Sequence, residues 1–565
     1  MTTRRASMAG MACLMLFIGL MWLYPLLTLR LTDQHDIPTH LRWAEQFADA
    51  LRDGQLLPRW AHASLLGLGD PSFVYYQPLF YYVTSIFALI GLRAEYALLL
   101  GIIAPYVLLG AIVYRTFLGR YPDRVALGGA IFVIVGPLLY FLSTNLGAYP
   151  WSLSLPFSVL FVAESSRNQP RAGRLGLLLA LVCLSHLLSG LITLCATALG
   201  RLLFAFPSRQ TIRGHLGWGL GVLLGLALAA FFIYPAVTQL KLITPSGWAD
   251  SERMWARAFV FPIAHARDGL RWAAIQWPLG AVTLVTIALS LLPWRAPANP
   301  MQLLARRLGL VALAALLLST ELAYPLFAHI KQMQMLQYPY RFVFVAAVLA
   351  NLALAIQVAE GAWARWRRPA RAALVALVLV QCALSGFLQL GMVRGGVQLP
   401  ERAVFMKGRF GQPEYHPAVR GPHWTQWVAD GKLDGECRRL DIRCDGLVQR
   451  THGLSVTIET PRDVAVRLPV FAFPAWGLSV DGQPQALVAD PDTGLPLVQL
   501  AAGRHQVALA WAGTPADAVG RGVSLAALAV LLVLLGAGWL RRSRAAQAAA
   551  AGIPAQDDEE LAPTN

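Results

Sequence analysis

A chain of 565 residues that is 56% hydrophobic, 14% charged and has a mean hydropathy of +0.52 cannot be a soluble globule, because no single core could hide that much apolar surface. A bilayer must solvate most of it. The formal charge of +16 would suit nucleic acid, but the basic residues fall in short groups between apolar runs and form no groove-sized patch with interleaved aromatics. That pattern excludes a nucleic-acid binder and belongs to membrane orientation.

In chain order, Met8 to Leu29 is a membrane-length apolar run behind Arg4 and Arg5, with no small-residue cleavage site after it. It reads as an uncleaved signal anchor with a cytoplasmic N-terminus, which puts the next loop, residues 30–72, outside. This polar loop gathers Asp33, His35, Asp36, His40 and Glu45 in a protein otherwise poor in acids. Within it, Pro38 to Asp53 has helical periodicity: Leu41, Ala44, Phe47, Ala48 and Leu51 share one face, and Arg42, Glu45, Gln46, Asp49 and Arg52 the other. Pro38 suits the first turn and Gly54 the end, and such a helix is expected to lie on the membrane surface.

The segment from Pro71 to Leu92 decides the topology. After Pro78 only about fourteen apolar residues remain, roughly 21 Å of helix against a hydrocarbon core of about 30 Å. Its start is crowded with Phe73, Tyr75, Tyr76, Phe80, Tyr81 and Tyr82, as suits the headgroup region. A surface or re-entrant helix is expected. With no span here, every later arginine group, from Arg115 to Arg544, falls in the cytoplasm; with a span, all would lie outside, against the orientation bias.

Eleven further runs have spanning character, near 95–114, 125–142, 148–164, 175–189, 190–206, 215–238, 274–294, 308–328, 340–360, 372–393 and 519–540. About twelve spans result, with juxtamembrane helices and a small, acidic tail, 541–565, expected to be disordered in the cytoplasm. Between residues 394 and 518 the pattern changes to short alternating runs separated by Asp481-Gly482, Asp490 to Gly494 and Gly503, which predicts an extracytoplasmic antiparallel β-sandwich. The expected fold is therefore mainly α: a polytopic helical domain over 1–393, the sandwich over 394–518 and a final transmembrane helix over 519–540.

Cys437 and Cys444 sit in this outer domain, where a disulfide can persist; two free thiols are the alternative. Cys13, Cys183, Cys195 and Cys382 are expected to pack inside apolar helices. No zinc spacing is present. Trp424, Trp427 and Trp476 are the aromatics a glycan could use, and Trp476 is as well placed for the core.

Several motifs recur in a fixed order. Asp36 and His40 form D-x-x-x-H; Gly54 to Trp60 is G-x-x-x-P-R-W; Gly67 to Pro71 is G-x-G-x-P; and Tyr75 to Tyr82 is Y-x-x-P-L-x-Y-Y. LQYPYRF at Leu336 to Phe342, EYHP at Glu414 to Pro417, and FPAWGLSVDG followed by AAGRHQVAL in the β-region complete the set. In these the chain resembles GT-C class membrane glycosyltransferases, and most of all YfhO-like proteins and membrane proteins with a 6-pyruvoyl-tetrahydropterin-synthase-related domain. The domain name does not imply pterin chemistry, since no histidine triad with zinc spacing is present.

The resemblance implies transfer of a sugar from a polyprenyl-phosphate donor to a glycan or lipid acceptor at the periplasmic face of a bacterial inner membrane, with membrane lipids as further partners. An acceptor hydroxyl must lose a proton, and a carboxylate beside the bilayer can take it. Asp36 is the first candidate, with helix capping as its ordinary role, and Asp33 the second. His40 joins them if one helical turn holds both, its alternative being a headgroup-level surface histidine. The leaving phosphate needs a fixed cation, for which Arg341 is the candidate and a snorkelling anchor its plain alternative. Lys331 and Lys241 are weaker candidates. His186 either lines the cavity or pairs locally, Tyr76 is a substrate contact, and Glu321 is an acid inside a membrane helix.

The loop Ser143 to Trp151 lacks the second acid that many GT-C enzymes carry there. A divalent metal would need Asp33, Asp250, Glu252 or Asp268, so no cofactor or metal ligand is assigned. A non-catalytic scaffold or a glycolipid transporter of the cell envelope is the alternative to an enzyme, although a transporter would carry its charges near the midplane.

Overall fold

The computed structural model describes residues 2–32, 36–204, 209–244, 255–261, 270–292, 297, 299–399 and 412–550. Each of the twelve apolar runs lies on a helix or a broken helix pair. Among the described residues five helices are, by length and composition, long and apolar enough to cross a bilayer: Ala94–Leu118, Pro300–Ser319, Pro339–Ala359, Arg368–Gly395 and Pro515–Gly536. Two bent pairs, Asp123–Ile134 with Pro137–Thr144 (47°) and Ile212–Leu228 with Ala230–Thr238 (73°), raise the number to as many as seven. Gly136 at the first bend and Pro137 at the start of the following helix account for that break.

The segment after Pro78 forms an 11-residue helix, Leu79–Leu89, about 16 Å long and too short to span. The Pro300–Ser319 helix stops earlier than the 308–328 run suggests. Glu321 consequently stands in a one-turn 3-10 helix, Glu321–Ala323, and not inside a membrane helix.

The amphipathic helix occupies Ile37–Arg52, but it does not rest on a membrane surface. Trp43, Phe47, His40 and Gln46 are all at least 97% buried, because the protein itself covers the apolar stripe, while Glu45, Asp49 and Arg52 keep 40 to 48% of their side chains exposed. Gln46 is satisfied there by the Ala63 backbone N–H, which donates to its Oε1 at 2.8 Å.

Four ties place the loop after the first helix between the helical and β parts. Strand β1 (Arg30–Thr32) pairs antiparallel with β2 (Gly396–Gln398), and Thr32 Oγ1 donates to the Thr144 carbonyl. Arg59, 4% exposed, faces Asp517, 2% exposed, at 3.4 Å and donates to the Phe231 carbonyl at 2.5 Å. Asp53 Oδ2 accepts from the Thr451 backbone N–H at 3.0 Å and from its hydroxyl at 2.9 Å. Trp60 enters the β-domain core against Trp476, Trp511 and Phe473, and Gly69 at φ +75° has no room for a side chain because the Trp60 indole lies against it.

The β-domain holds a five-stranded antiparallel sheet in the order β3 (Arg443–Arg450), β4 (Gly453–Thr460), β9 (Gly503–Trp511), β6 (Trp476–Val480), β7 (Gln483–Gln485), together with a two-stranded sheet of β5 (Val464–Arg467) and β8 (Leu497–Leu500). Period-2 burial of Leu454, Val456 and Ile458 turns β4 toward the core, as the alternation predicts. Asp481 and Gly482 both take positive φ, 54° and 77°, in a two-residue hairpin between β6 and β7. Strand β3 and the helices Trp424–Ala429 and Lys432–Leu440 are not foreseen by the alternation. Trp427 is buried, not exposed, and its indole donates to Glu436 at 3.1 Å. Trp476 is core. Cys437 and Cys444 form a disulfide, whereas Cys13 and Cys382 are exposed on their helices and only Cys183 is fully packed.

Candidate functional site

Asp36 occupies the N-cap position of the Ile37–Arg52 helix, where an aspartate ordinarily bonds the first free backbone N–H groups. Its side chain makes no such capping bond. The backbone explains this: Asp36 is already near-helical (φ −97°, ψ −12°), so its side chain is not turned over the first turn. The His40 N–H donates to the Asp36 carbonyl at 2.9 Å, so one helical turn holds both residues. The loop from Thr144 to Tyr149 closes directly on them. Gly147, at φ +64°, lies so near that a Cβ on it would stand 3.2 Å from Ile37 Cγ1 and 3.6 Å from Asp36 Cβ.

His40 is 1% exposed inside an aromatic box of Trp43, Tyr76, Phe80, Tyr81 and Tyr149, with ring centroids 5.3 to 6.3 Å away. Its Nδ1 is 2.8 Å from the Tyr81 hydroxyl. Burial holds its pKa down to about 3, so the ring is neutral at physiological pH. Its Nε2 and the neighbouring Tyr149 hydroxyl are buried without a hydrogen-bond partner, an arrangement that costs stability unless something else engages them.

Arg341 ends the 3-10 turn Pro339–Arg341, just before the Phe342–Ala359 helix. Its guanidinium lies over the rings of Tyr338 (4.9 Å) and Trp151 (5.7 Å) and donates to the Leu336 carbonyl at 2.8 Å and to Gln337 Oε1 at 3.2 Å. Rings and neutral oxygens fix the cation without cancelling its charge. Asp36 and Tyr76 are within its electrostatic reach. Trp151 stacks on His186 at 5.3 Å and 8°, and the Ser189 backbone N–H donates to His186 Nδ1 at 3.1 Å, which places the His186 proton on Nε2.

A strap formed by residues 412–418 closes over the start of the Ile37–Arg52 helix. Gln412 Nε2 donates to Thr39 Oγ1 at 2.7 Å, the Thr244 N–H to the His416 carbonyl at 2.9 Å, and the Ala418 N–H to the Leu242 carbonyl at 2.9 Å. The Tyr415 ring packs on Trp43 and Tyr76 at 6.0 and 6.1 Å. The strap brings Glu414 beside Asp36, and burial together with the Asp36 charge holds the Glu414 carboxyl above the usual glutamate range.

Of the residues singled out in the sequence, Asp36, His40, Tyr76, His186 and Arg341 converge here. Lys331 does not: it is exposed on the short helix Lys331–Gln334, and Lys241 is exposed on its own turn. Asp33, Asp250, Glu252 and Asp268 lie outside the described residues. Glu414, Tyr149 and Trp151 were missed. EYHP was visible as a motif, but nothing in it says that the strap folds back over a loop almost four hundred residues earlier. Asp70 was missed as well. Fully buried in G-x-G-x-P, it accepts the Ser72 N–H at 2.9 Å and the Ser72 hydroxyl, and burial pushes its pKa up to about 7. Among the described residues no group of three His, Cys, Asp or Glu could hold a metal ion, so Asp36 and Glu414 would need a further ligand to form a metal site.

The family model for the 6-pyruvoyl-tetrahydropterin synthase related domain, a membrane protein, matches residues 73–388. The chain belongs to this membrane-protein family. The match takes in Tyr76, Tyr149, Trp151, His186 and Arg341, whereas Asp36, His40 and Glu414 lie outside its limits. No curated protein matches the chain. Among solved structures it is similar to the arabinofuranosyltransferase AftD from Mycobacteria, at 15% identity and a TM-score of 0.41, over 70% of this chain and 27% of that one. A mutant of the same enzyme, R1389S in its class 2 structure, gives 16% identity and a TM-score of 0.43 over 76% and 30%. The chain thus spans less than a third of the length of the structures it matches.

Proposed function

We propose that this protein is an integral membrane glycosyltransferase that moves a sugar from a polyprenyl-phosphate donor to a glycan or lipid acceptor on the extracytoplasmic face of a bacterial inner membrane. The observation that carries the reading is the placing of Asp36, at the start of the Ile37–Arg52 helix, within electrostatic reach of an arginine fixed by rings and carbonyls.

In this reading the acceptor hydroxyl oxygen attacks the anomeric carbon, the bond from that carbon to the phosphate oxygen breaks, and polyprenyl phosphate leaves with the bonding electrons. Asp36 takes the hydroxyl proton. Arg341 binds the phosphate oxygens; its position is set before the reaction, so the charge of the leaving group meets a cation that need not reorganise. The neutral His40 is a positioning residue. Its unpartnered Nε2 and the Tyr149 hydroxyl are suited to sugar hydroxyls, and Tyr76 and the Nε2–H of His186 line the same side. Glu414, whose carboxyl burial and the Asp36 charge hold above the usual glutamate range, is a further polar contact for the acceptor beside Asp36. No step is routed through a metal.

The test uses the full chain in membranes, a short-chain polyprenyl-phosphate sugar and an extracted acceptor fraction. Wild type should transfer label and Asp36→Asn should not, at equal expression. If deleting the gene alters lipid-linked sugars but Asp36→Asn restores the normal profile, the scaffold reading replaces this one.

A further inference from the structure

At the end of the helical bundle opposite the candidate site lies a second, differently built feature. The Tyr149–Ser165 helix starts at the site and runs about 25 Å to a turn at residues 165–170. The Leu187–Phe204 helix likewise starts beside His186 and ends there.

Two arginines from separate helices converge on that turn. Arg201 donates to the Ser165 carbonyl and lies over the Trp218 ring at 6.0 Å. Arg307, from the Pro300–Ser319 helix, donates to the Ser166 carbonyl and to Asn168 Oδ1, the latter at 2.6 Å. Their acceptors are adjacent carbonyls, and the two cations are close enough to repel each other. Among the described residues neither forms an ion pair with a carboxylate. The one acid between residues 124 and 249 is Glu164, and it faces Arg167 at 3.8 Å and Arg174 at 3.6 Å instead. Gly214 lets the next helix close in on this turn, since a Cβ there would collide with the Asn168 carbonyl oxygen.

An apolar ridge leads away from this cluster. Ile212, Leu216, Leu220 and Leu223 are 52 to 65% exposed along one face of the Arg209–Leu228 helix, and Leu202 and Leu203 beside Arg201 are 76 and 52% exposed. Arginines that serve orientation alone have no need to converge from different helices or to hold one another in repulsion. A headgroup phosphate between the two guanidiniums would relieve the repulsion, and the leucine ridge would take the acyl chains below it.

We propose that Arg201 and Arg307, with the turn at 165–168 and the leucine ridge of the 209–228 helix, form a binding site for an anionic phospholipid at the bundle end opposite the candidate active site.

The test uses the full-length protein purified into mixed micelles of phosphatidylglycerol and phosphatidylcholine, with retained lipid read by native mass spectrometry. Wild type should retain phosphatidylglycerol selectively. The R201Q/R307Q variant should retain it about 30-fold less well, from about 1 kcal/mol per basic residue. R365Q/R367Q, which removes two exposed arginines elsewhere, should retain it as wild type does. Equal retention of both lipids by wild type overturns the proposal without recourse to a variant, and so does an R201Q/R307Q protein as selective as wild type. Displacement of phosphatidylglycerol by millimolar inorganic phosphate would show a free-anion site and equally overturn it.

Discussion

Asp36 and Arg341 belong to opposite ends of the polytopic domain's sequence, yet the carboxylate of one lies within the electrostatic reach of the guanidinium of the other. Asp36 makes no capping bond to its own helix, and Arg341 is held by two rings, a carbonyl and an amide oxygen.

Substituting Asp36 by Asn removes the proposed base and keeps the shape of the side chain. Transfer should fall by about 10²- to 10⁴-fold, the usual contribution of a general base. Label transfer in membranes, compared at equal expression, measures the loss.

Lysine at position 341 keeps the charge but loses the planar fork that spans Tyr338 and Trp151. Arg341→Lys should raise the KM for the polyprenyl-phosphate donor by about tenfold and change the KM for the acceptor little. Equal effects on both would move Arg341 from phosphate binding to general packing.

Asp70 and His40 make stability depend on pH in opposite ways. The folded pKa of Asp70 is raised from 3.8 to about 7, so its contribution is fully present below 3.8 and is lost as pH rises through 7. That of His40 is lowered from 6.5 to about 3, so its contribution is present above 6.5 and is lost as pH falls toward 3. Asp70→Asn mimics the protonated acid and should raise the melting temperature relative to wild type at pH 8 but not at pH 4. A difference that does not vary with pH would show that Asp70 is charged in the folded protein throughout.

The buried pair Arg59–Asp517 ties the loop after the first helix to the start of the last helix. Arg59→Met strands a carboxylate that is 2% exposed, and should cost about 3–5 kcal/mol. Adding Asp517→Asn removes the stranded charge while keeping an acceptor for the Thr514 N–H, and should recover part of that loss. Thermal unfolding of the three proteins in one detergent decides it.

Removing the Cys437–Cys444 bridge by a double serine substitution should cost about 2–3 kcal/mol, since a seven-residue separation closes a short loop. Proteolysis of the full chain at the β3 edge should accelerate correspondingly. Unchanged protection would show that the Glu436 contacts with Trp427, Arg439 and Arg467 suffice to hold this corner.

The sequence by itself determined which long apolar segments are helical, because runs of bilayer length have no other stable form in lipid, and it determined the strands among residues 453–511, because the period there changes to 2, but not the helices Trp424–Ala429 and Lys432–Leu440 before them. It also marked Asp36, His40, Tyr76, His186 and Arg341, each by a charged, imidazole or phenolic group where an outer loop meets a helix. It misjudged the Ile37–Arg52 helix, whose amphipathic stripe looks alike whether bilayer or protein covers it; only the packing of Trp43, Phe47 and the strap shows which. Lys331, the weaker candidate in the sequence, differs from Arg341 in the structure because it is exposed while Arg341 lies between rings.

Periodicity reports on a residue's own element, so the sequence alone settled local form. Which distant segments meet depends on long-range closure: Gly147 against Asp36, the 412–418 strap over Thr39, and Arg201 beside Arg307 on one turn. Those encounters bring like charges and uncapped polar groups together at a local cost that no single segment reveals, and only the tertiary structure decided them.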